Sequence, residues 1–570
     1  MSIIGTIHED VTTDVLGPIG SWQWMVVFVS STFMMTSMLD QYEDMFLLEP
    51  PRNAECDLAD TPRVSNLSLC TYTVNSTKEY KCNKWHIKFL WMIRINKTWL
   101  VFCDHKKKVV ATTIICRLGL IFGFIIFGLL TDSFGRKKTI TIDIVAELVF
   151  RLTLTFCDSE SWFNLLIFLK SLFASANYYV GFILVCEIAS CTWRTTLMII
   201  VSTPRVLATV CLVPVANITP NLETFNFFAC IFDALLLIAL RWTPESPQWL
   251  LYNRKIAQAE KVLLKAVKMN NIYVCSNFKI RPANHRAYHC LDESWNCIGI
   301  LTTHNIRILT IAVAAFWGFY YYLWSSLYIR VYSKQERFML LKLLFIICLL
   351  VLLHWCLVKK LKLRALLVSN TLLLGVYSIS LIFMEWINFN QIISRLISYL
   401  AIGSGVIVHG LILNITPRLF AINIRATLFG CCNAIGQLGS IVCYLLIMIH
   451  DADDVTRKVI EGSLAIILTV ICFVIPDVDG RELPDVIEDM DYFSELSKPL
   501  RWVTQKTNSP SQEELEMRVY SFGSTAQNMS ISQCDQRLPA RRIGSIQVLP
   551  LIRRLINNIC RLFHKNVSFK

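Results

Sequence analysis

About twelve apolar runs of bilayer-spanning length divide this 570-residue chain, six on each side of a basic stretch from Thr243 to Asn305. The hydrocarbon core of a bilayer takes ~20 apolar residues of helix, and lipid offers no partner to a bare backbone N–H or C=O. A chain with a dozen such runs is therefore expected to be an all-α polytopic membrane protein, with twelve transmembrane helices in two six-helix bundles. The spans are read as 22–39, 109–131, 138–156, 162–188, 195–216 and 222–242, then 306–330, 338–358, 364–386, 391–413, 424–450 and 459–476.

Charge sets the orientation. Only 17% of residues are charged, too few for a soluble chain of this length. The net charge of +13 lies mostly in loops between spans, where the positive-inside bias accounts for it, so nucleic acid is not an expected partner. Arg136-Lys137-Lys138, the run from Lys359 to Arg364, and Arg254, Lys255, Lys261, Lys265 and Lys268 all fall on one side, which should be cytoplasmic. Both termini then lie inside, and the first apolar run has no basic leader or cleavage site of a signal peptide. The organisation expected is a cytoplasmic segment 1–21, a bundle 22–242, a cytoplasmic linker 243–305 with short helices, a bundle 306–476 and a largely disordered cytoplasmic tail 477–570. In the linker, Ala257 to Val267 has the pattern of an amphipathic helix lying against the inner face.

The loop 40–108 should be extracellular. It holds the glycosylation acceptors Asn66, Asn75 and Asn96, and Cys56, Cys70, Cys82 and Cys103, which allow two disulfides in three pairings in an oxidising compartment.

Some charges fall inside spans, where an unpaired one costs about 2.5 kcal/mol or more by insertion scales. Asp143, Glu147 and Arg151 recur every four residues, share one helix face and are read as pairing along it. Arg205 and Asp233 sit in the fifth and sixth spans and should face protein or water, as structural pairs or as an ion or substrate pathway. His409 in the tenth span is read as hydrogen-bonded core or a proton relay. Between the second and third spans, Gly128-Leu-Leu-Thr-Asp132-Ser-Phe-Gly135-Arg136 places a small residue for close helix approach, an acid, a glycine turn and a basic cluster. Glu187 and Arg194, seven residues apart, are candidates to pair across two helical turns. No metal-ligand spacing, phosphate-cradling loop or catalytic arrangement is visible, so neither cofactor nor enzymatic activity is expected.

That Gly128–Arg136 arrangement resembles the loop signature of the major facilitator superfamily, with Ser133 in place of its first basic residue. Three further segments resemble its organic cation, anion and carnitine transporter group, solute carrier family 22. They are Pro244-Glu245-Ser246-Pro247-Gln248-Trp249-Leu250, the stretch Pro476 to Asp489 with Gly480 and Leu483-Pro484, and Thr98-Trp99-Leu100-Val101-Phe102-Cys103-Asp104. The resemblance spans about 17–489. It implies a pocket between two rocking bundles, lined by Tyr178 of the fourth span, Tyr320 and Tyr321 of the seventh and Gln437 of the eleventh. Gating would fall to Gly128, Asp132, Gly135, Arg136, Glu187, Arg194 and Arg425. Departures are several. Gln437 is neutral where the group has a charged residue, Arg418 and Ala421 replace an acid and a proline, and Tyr322 replaces a glycine.

The function implied is a plasma-membrane transporter of small organic ions or zwitterions with a bilayer as its surroundings and a coupling ion left open. The altered motifs also suit a transport-deficient relative that binds, chaperones or senses.

Overall fold

The computed structural model describes residues 12, 15–48, 54–56, 64–67, 71–74, 78–81, 85–87, 105–157, 159–218, 222–272, 304–332, 361–386, 391–449, 454–481, 483–484 and 487–490. Helices cover eleven of the twelve predicted spans, and the eighth, 338–358, lies outside the described residues. In the first half they are α1 (Ser21–Leu48), α2 (His105–Phe134), α3 (Arg136–Thr155), α4 (Glu160–Phe173), α5 (Ser175–Ile188), α6 (Cys191–Ile218) and α7 (Leu222–Ala239). Two short helices follow, α8 (Pro247–Tyr252) and α9 (Ile256–Met269). The second half holds α10 (His304–Tyr332), α11 (Leu363–Trp386), α12 (Gln391–Leu419), α13 (Arg425–Ile449) and α14 (Asp454–Cys472), with a final 3-10 turn at Ile487–Met490. Among the described residues, six segments are long and apolar enough by themselves to cross a membrane: Val110–Phe134, Ser161–Ile188, His304–Leu327, Leu363–Leu381, Ile392–Leu419 and Arg425–Leu446.

Two departures from the predicted spans matter later. The fourth span is two helices, α4 and α5, meeting at Ala174. The first helix runs on to Leu48, so Asp40, expected at the start of the loop, stands on α1. The loop also carries strands that an all-helical reading does not include: Ala54–Cys56 pairs antiparallel with Trp85–Ile87, and Val64–Leu67, Thr71–Val74 and Lys78–Lys81 form a second antiparallel sheet. Asn66 and Cys56 fall on strands but their side chains lie outside the described residues, as do Asn75, Asn96, Cys70, Cys82 and Cys103 entirely.

The distribution of side chains is that of a protein solvated by lipid. Phe28 (72% exposed), Phe473 (61%) and Ile311 (60%) stand outward, while Arg136, Asp143, Arg151, Lys170 and Arg425 are fully buried. The polar groups cannot be satisfied by hydrocarbon, so they turn inward and find each other. Close backbone approach makes the halves fit. A Cβ on Gly430 would lie 2.2 Å from the Phe124 carbonyl oxygen of α2, and one on Gly439 2.0 Å from that of Gly318 on α10. Helix α13 thereby packs flush on α10 within its own half and on α2 of the other.

The short helices have local causes. Ser246 caps α8 by accepting the Trp249 N–H at 3.3 Å, and Pro247 opens it. The predicted amphipathic helix is α9, whose buried face (Ala259, Leu263, Ala266, Val267) packs in one cluster with Val15, Leu16 and Trp22 at the start of the chain.

Candidate functional site

Between the two halves lies a small cavity of about 20 Å³, lined by Asp40, Arg117, Phe124, Tyr178 and Gln437 among others. That is room for about one water. The Arg117 guanidinium on α2 is buried and donates to Gln437 Oε1 on α13 at 3.2 Å, joining the halves. The neutral Gln437 thus stands beside a buried cation from another span, and the cavity wall carries both Arg117 and the Asp40 carboxylate.

An aromatic group adjoins it. Tyr178 of α5 lies 2.6 Å, hydroxyl to hydroxyl, from Tyr321 of α10, and shares a hydrogen bond with His409 Nε2 of α12. The imidazole is ringed by Tyr178, Trp317, Tyr320 and Tyr321, with centroids 5.3 to 5.9 Å away. The Tyr320 hydroxyl donates to the Gly405 carbonyl at 3.0 Å. His409 is therefore hydrogen-bonded core, one of the two readings its sequence allowed. Tyr178 lines the cavity, whereas Tyr320 and Tyr321 stand behind it.

At the end of the halves that carries the basic loops, the residues of the Gly128–Arg136 stretch meet α13. The Asp132 carboxylate accepts the N–H groups of Ala426 (3.2 Å) and Thr427 (2.8 Å), and the Thr427 hydroxyl at 2.9 Å. These are first-turn amides of α13, which have no acceptor inside their helix, and a carboxylate also suits the positive helix end. Gly128 allows the approach: a Cβ there would lie 3.0 Å from Thr427 Cα. Glu187 accepts from Arg136 at 2.6 and 3.1 Å and from Arg425 at 3.1 Å. Gly135, at φ 105°, supplies a backbone conformation that L side chains rarely adopt. Beneath it, Glu245 accepts the Arg136 and Lys137 N–H groups at the start of α3 (2.7 and 3.2 Å), and the Trp249 indole donates to the Asp132 carbonyl at 2.8 Å. Burial pushes the Glu245 carboxyl above the ordinary range, partly offset by Arg136 and its N–H donors, and burial, then Lys265, lowers Lys137.

The expected Glu187–Arg194 pair does not form. The chain breaks after Ile188, so the two are not on one helix, and Arg194 donates to the carbonyls of Cys186 and Ala189 instead. Arg194 also reaches the Arg481 carbonyl at 3.4 Å. Arg418, which stands where the resembling group has an acid, lies 3.6 Å from Asp479, whose carboxylate also accepts from Thr195 of α6 and from the Leu363 N–H.

Inside the first half, Arg151 bonds Glu147, Asp233 (2.7 Å) and Asp40 (2.9 Å), and Lys170 lies 3.0 Å from Asp40. Asp143 does not join Arg151 along the helix face. Its carboxylate accepts the N–H groups of Ala176 (3.1 Å) and Asn177 (3.0 Å), the exposed start of α5 created by the break at Ala174. The side chain of Arg205 lies outside the described residues.

Three residues of this picture carry no role in the sequence reading, Asp40, Arg117 and Lys170, and Glu245 enters it only as part of the Pro244–Leu250 motif. Arg117 and Lys170 gave a usable signal, each a cation inside a long apolar run.

Two helical halves joined across a polar cavity and a buried charged network have the arrangement of a membrane carrier of the major facilitator type. The family model described as "Sugar (and other) transporter" matches residues 16–489, and the chain belongs to that family. It is similar to solute carrier family 22 member 4 of Mus musculus, 24% identical over 424 residues, 71% of this chain and 73% of that protein. It is also similar to human organic cation/carnitine transporter 2, 25% identical over 411 residues, 69% and 71% of the two chains. The resemblance read in its motifs is thus borne out across most of the chain. Among solved structures, the major facilitator proton:xylose symporter XylE matches with a TM-score of 0.59 at 13% identity, covering 82% of this chain and 98% of that one. The human organic anion transporter MFSD10 matches with a TM-score of 0.50 at 12% identity, covering 80% and 99%. Both share the fold. The protein is a multi-pass membrane transporter of the major facilitator superfamily and not an enzyme.

Proposed function

We propose that this chain carries small organic ions or zwitterions across the plasma membrane by alternating access, with both termini and the Asp132–Glu187–Arg425 seal on the cytosolic side. The observation that carries this reading is that the two halves meet through breakable polar contacts: Arg117 on Gln437 at the cavity and, at the end with the basic loops, Asp132 on the first turn of α13 and Glu187 between Arg136 and Arg425. Such contacts exchange for water when the halves rock apart, whereas an apolar seam would not.

The shut cavity has room for about one water, so cargo enters only once the halves part, and the side chains then uncovered suit a charged organic solute. Arg117 attracts a carboxylate or sulfonate, Asp40 attracts a cation, and Tyr178 offers a ring face to an ammonium. Relatives named for cation and carnitine transport fit the same class.

The test is uptake in oocytes expressing the full chain, with labelled tetraethylammonium, carnitine, p-aminohippurate and amino-acid derivatives, comparing wild type with Arg117→Ala and Tyr178→Ala. Saturable uptake of one class, lost in Arg117→Ala, supports the carrier. Surface expression with no uptake of any class favours a binding or sensing relative instead.

A further inference from the structure

The ion cluster of the first half is not balanced, and it reaches the cavity. Asp40 of α1, Asp143, Glu147 and Arg151 of α3, Lys170 of α4 and Asp233 of α7 make four carboxylates against two cations, all fully buried but Asp40. Asp143 is answered by the two N–H groups that start α5. Among the described side chains, the remaining three carboxylates, Asp40, Glu147 and Asp233, share two cations, Arg151 and Lys170, one carboxylate more than the cations they meet. Also facing the cluster are Cys230 of α7, Tyr179 of α5 and, across the cavity, Arg117 of α2. Arg117 is turned to Gln437.

Two carboxylate oxygens at this cluster, Asp233 Oδ1 and Asp40 Oδ2, are buried without a hydrogen-bond partner among the described residues. An unpaired carboxylate oxygen in a low-dielectric interior holds a proton more cheaply than a charge. Asp40 is the door: it bonds both cations of the cluster and lines the cavity.

We propose that Asp40, Glu147, Asp233, Arg151 and Lys170 form a proton-binding site that opens onto the central cavity through Asp40. One O–H bond forms on a carboxylate oxygen when the cavity meets water on one side and breaks when it meets water on the other, the proton coming from and returning to the solvent. The coupling of that proton to cargo rests on the carrier reading above; the binding of the proton does not.

Infrared difference spectroscopy on the purified full-length chain tests the site without any cargo. Between about pH 5.5 and pH 9 a carboxylic C=O band is expected to disappear, to shift in D2O, and to be lost in Asp40→Asn or in Asp233→Asn. The two variants guard against one failing to fold. No titrating carboxylic band in wild type, or a band unchanged in both variants, overturns the proposal. In proteoliposomes, an inward gradient of about one pH unit should then drive up to about tenfold accumulation of a transported probe from the panel above, at one proton per cycle. Asp233→Asn, which removes a carboxylate of the cluster that does not line the cavity, should abolish that dependence while leaving gradient-free exchange. Wild-type uptake indifferent to the gradient overturns the coupling and leaves the carrier reading intact. A titrating band with no uptake of any probe supports the proton site and counts against the carrier.

Discussion

Glu187→Gln should loosen the seal without touching the amides that report on it. In the closed state Glu187 holds Arg136 within its own half and Arg425 across the divide, at 3.1 Å. Only the second contact breaks on opening. A charged hydrogen bond contributes about 1.5–3 kcal/mol and a neutral one about 0.5–1.5, so glutamine should cost the closed state about 1 to 2 kcal/mol. That is about a 5- to 30-fold rise in the open population. The reporters are the N–H groups of Ala426 and Thr427, which lack acceptors in α13 and are held by Asp132 of the opposite half. Their exchange with deuterium should follow the opening equilibrium. Hydrogen–deuterium exchange on wild type and Glu187→Gln in nanodiscs should therefore show faster exchange at the start of α13 by that factor, with the rest of the helix unchanged. Equal exchange in two well-folded proteins would refute the assignment of this network as the seal.

Four other outcomes follow from the packing. Gly430→Ala places a methyl against Phe124 of the opposite half and should shift the protein toward the state in which the halves separate, whereas Gly439→Ala clashes with Gly318 in its own half and should lower thermal stability by about 1–3 kcal/mol; the exchange assay and a thermal melt tell them apart. Arg151→Met strands the carboxylates of Glu147, Asp233 and Asp40 and should destabilise the protein by about 3–5 kcal/mol, read as lost thermal stability in detergent. Gly135→Ala meets both a positive φ and the Trp249 ring 2.9 Å from the new methyl, and should cost about 1–3 kcal/mol or more, seen as reduced folded yield.

Eleven of the twelve spans, the order of the loop motifs and the tight turn at Gly135 were legible because each depends on local pattern: apolar length, a glycine turn, an acid one turn before it. What sequence left out depends on partners far along the chain. Arg117 stands alone in an apolar run and its acceptor, Gln437, is 320 residues away. Asp143 shares a helix face with Glu147 and Arg151, yet it serves the start of α5. The break that exposes those amides falls at Ala174, where neither proline nor glycine marks it. Glu187 and Arg194 look like a helical pair for the same reason, since the kink after Ile188 has no strong breaker. Asp40 was placed outside because α1 continues beyond the last strongly apolar residue.

The stretch that follows α14 is stitched to both halves. Asp479 meets Thr195 and Leu363, the Arg481 carbonyl receives Arg194 and Cys191, and the Pro484 carbonyl receives Arg425, itself the partner of Glu187. Separating the halves at this end must therefore also break the hold of this strap on α6 or on α11 and α13, so the strap adds its own bonds to the shut state.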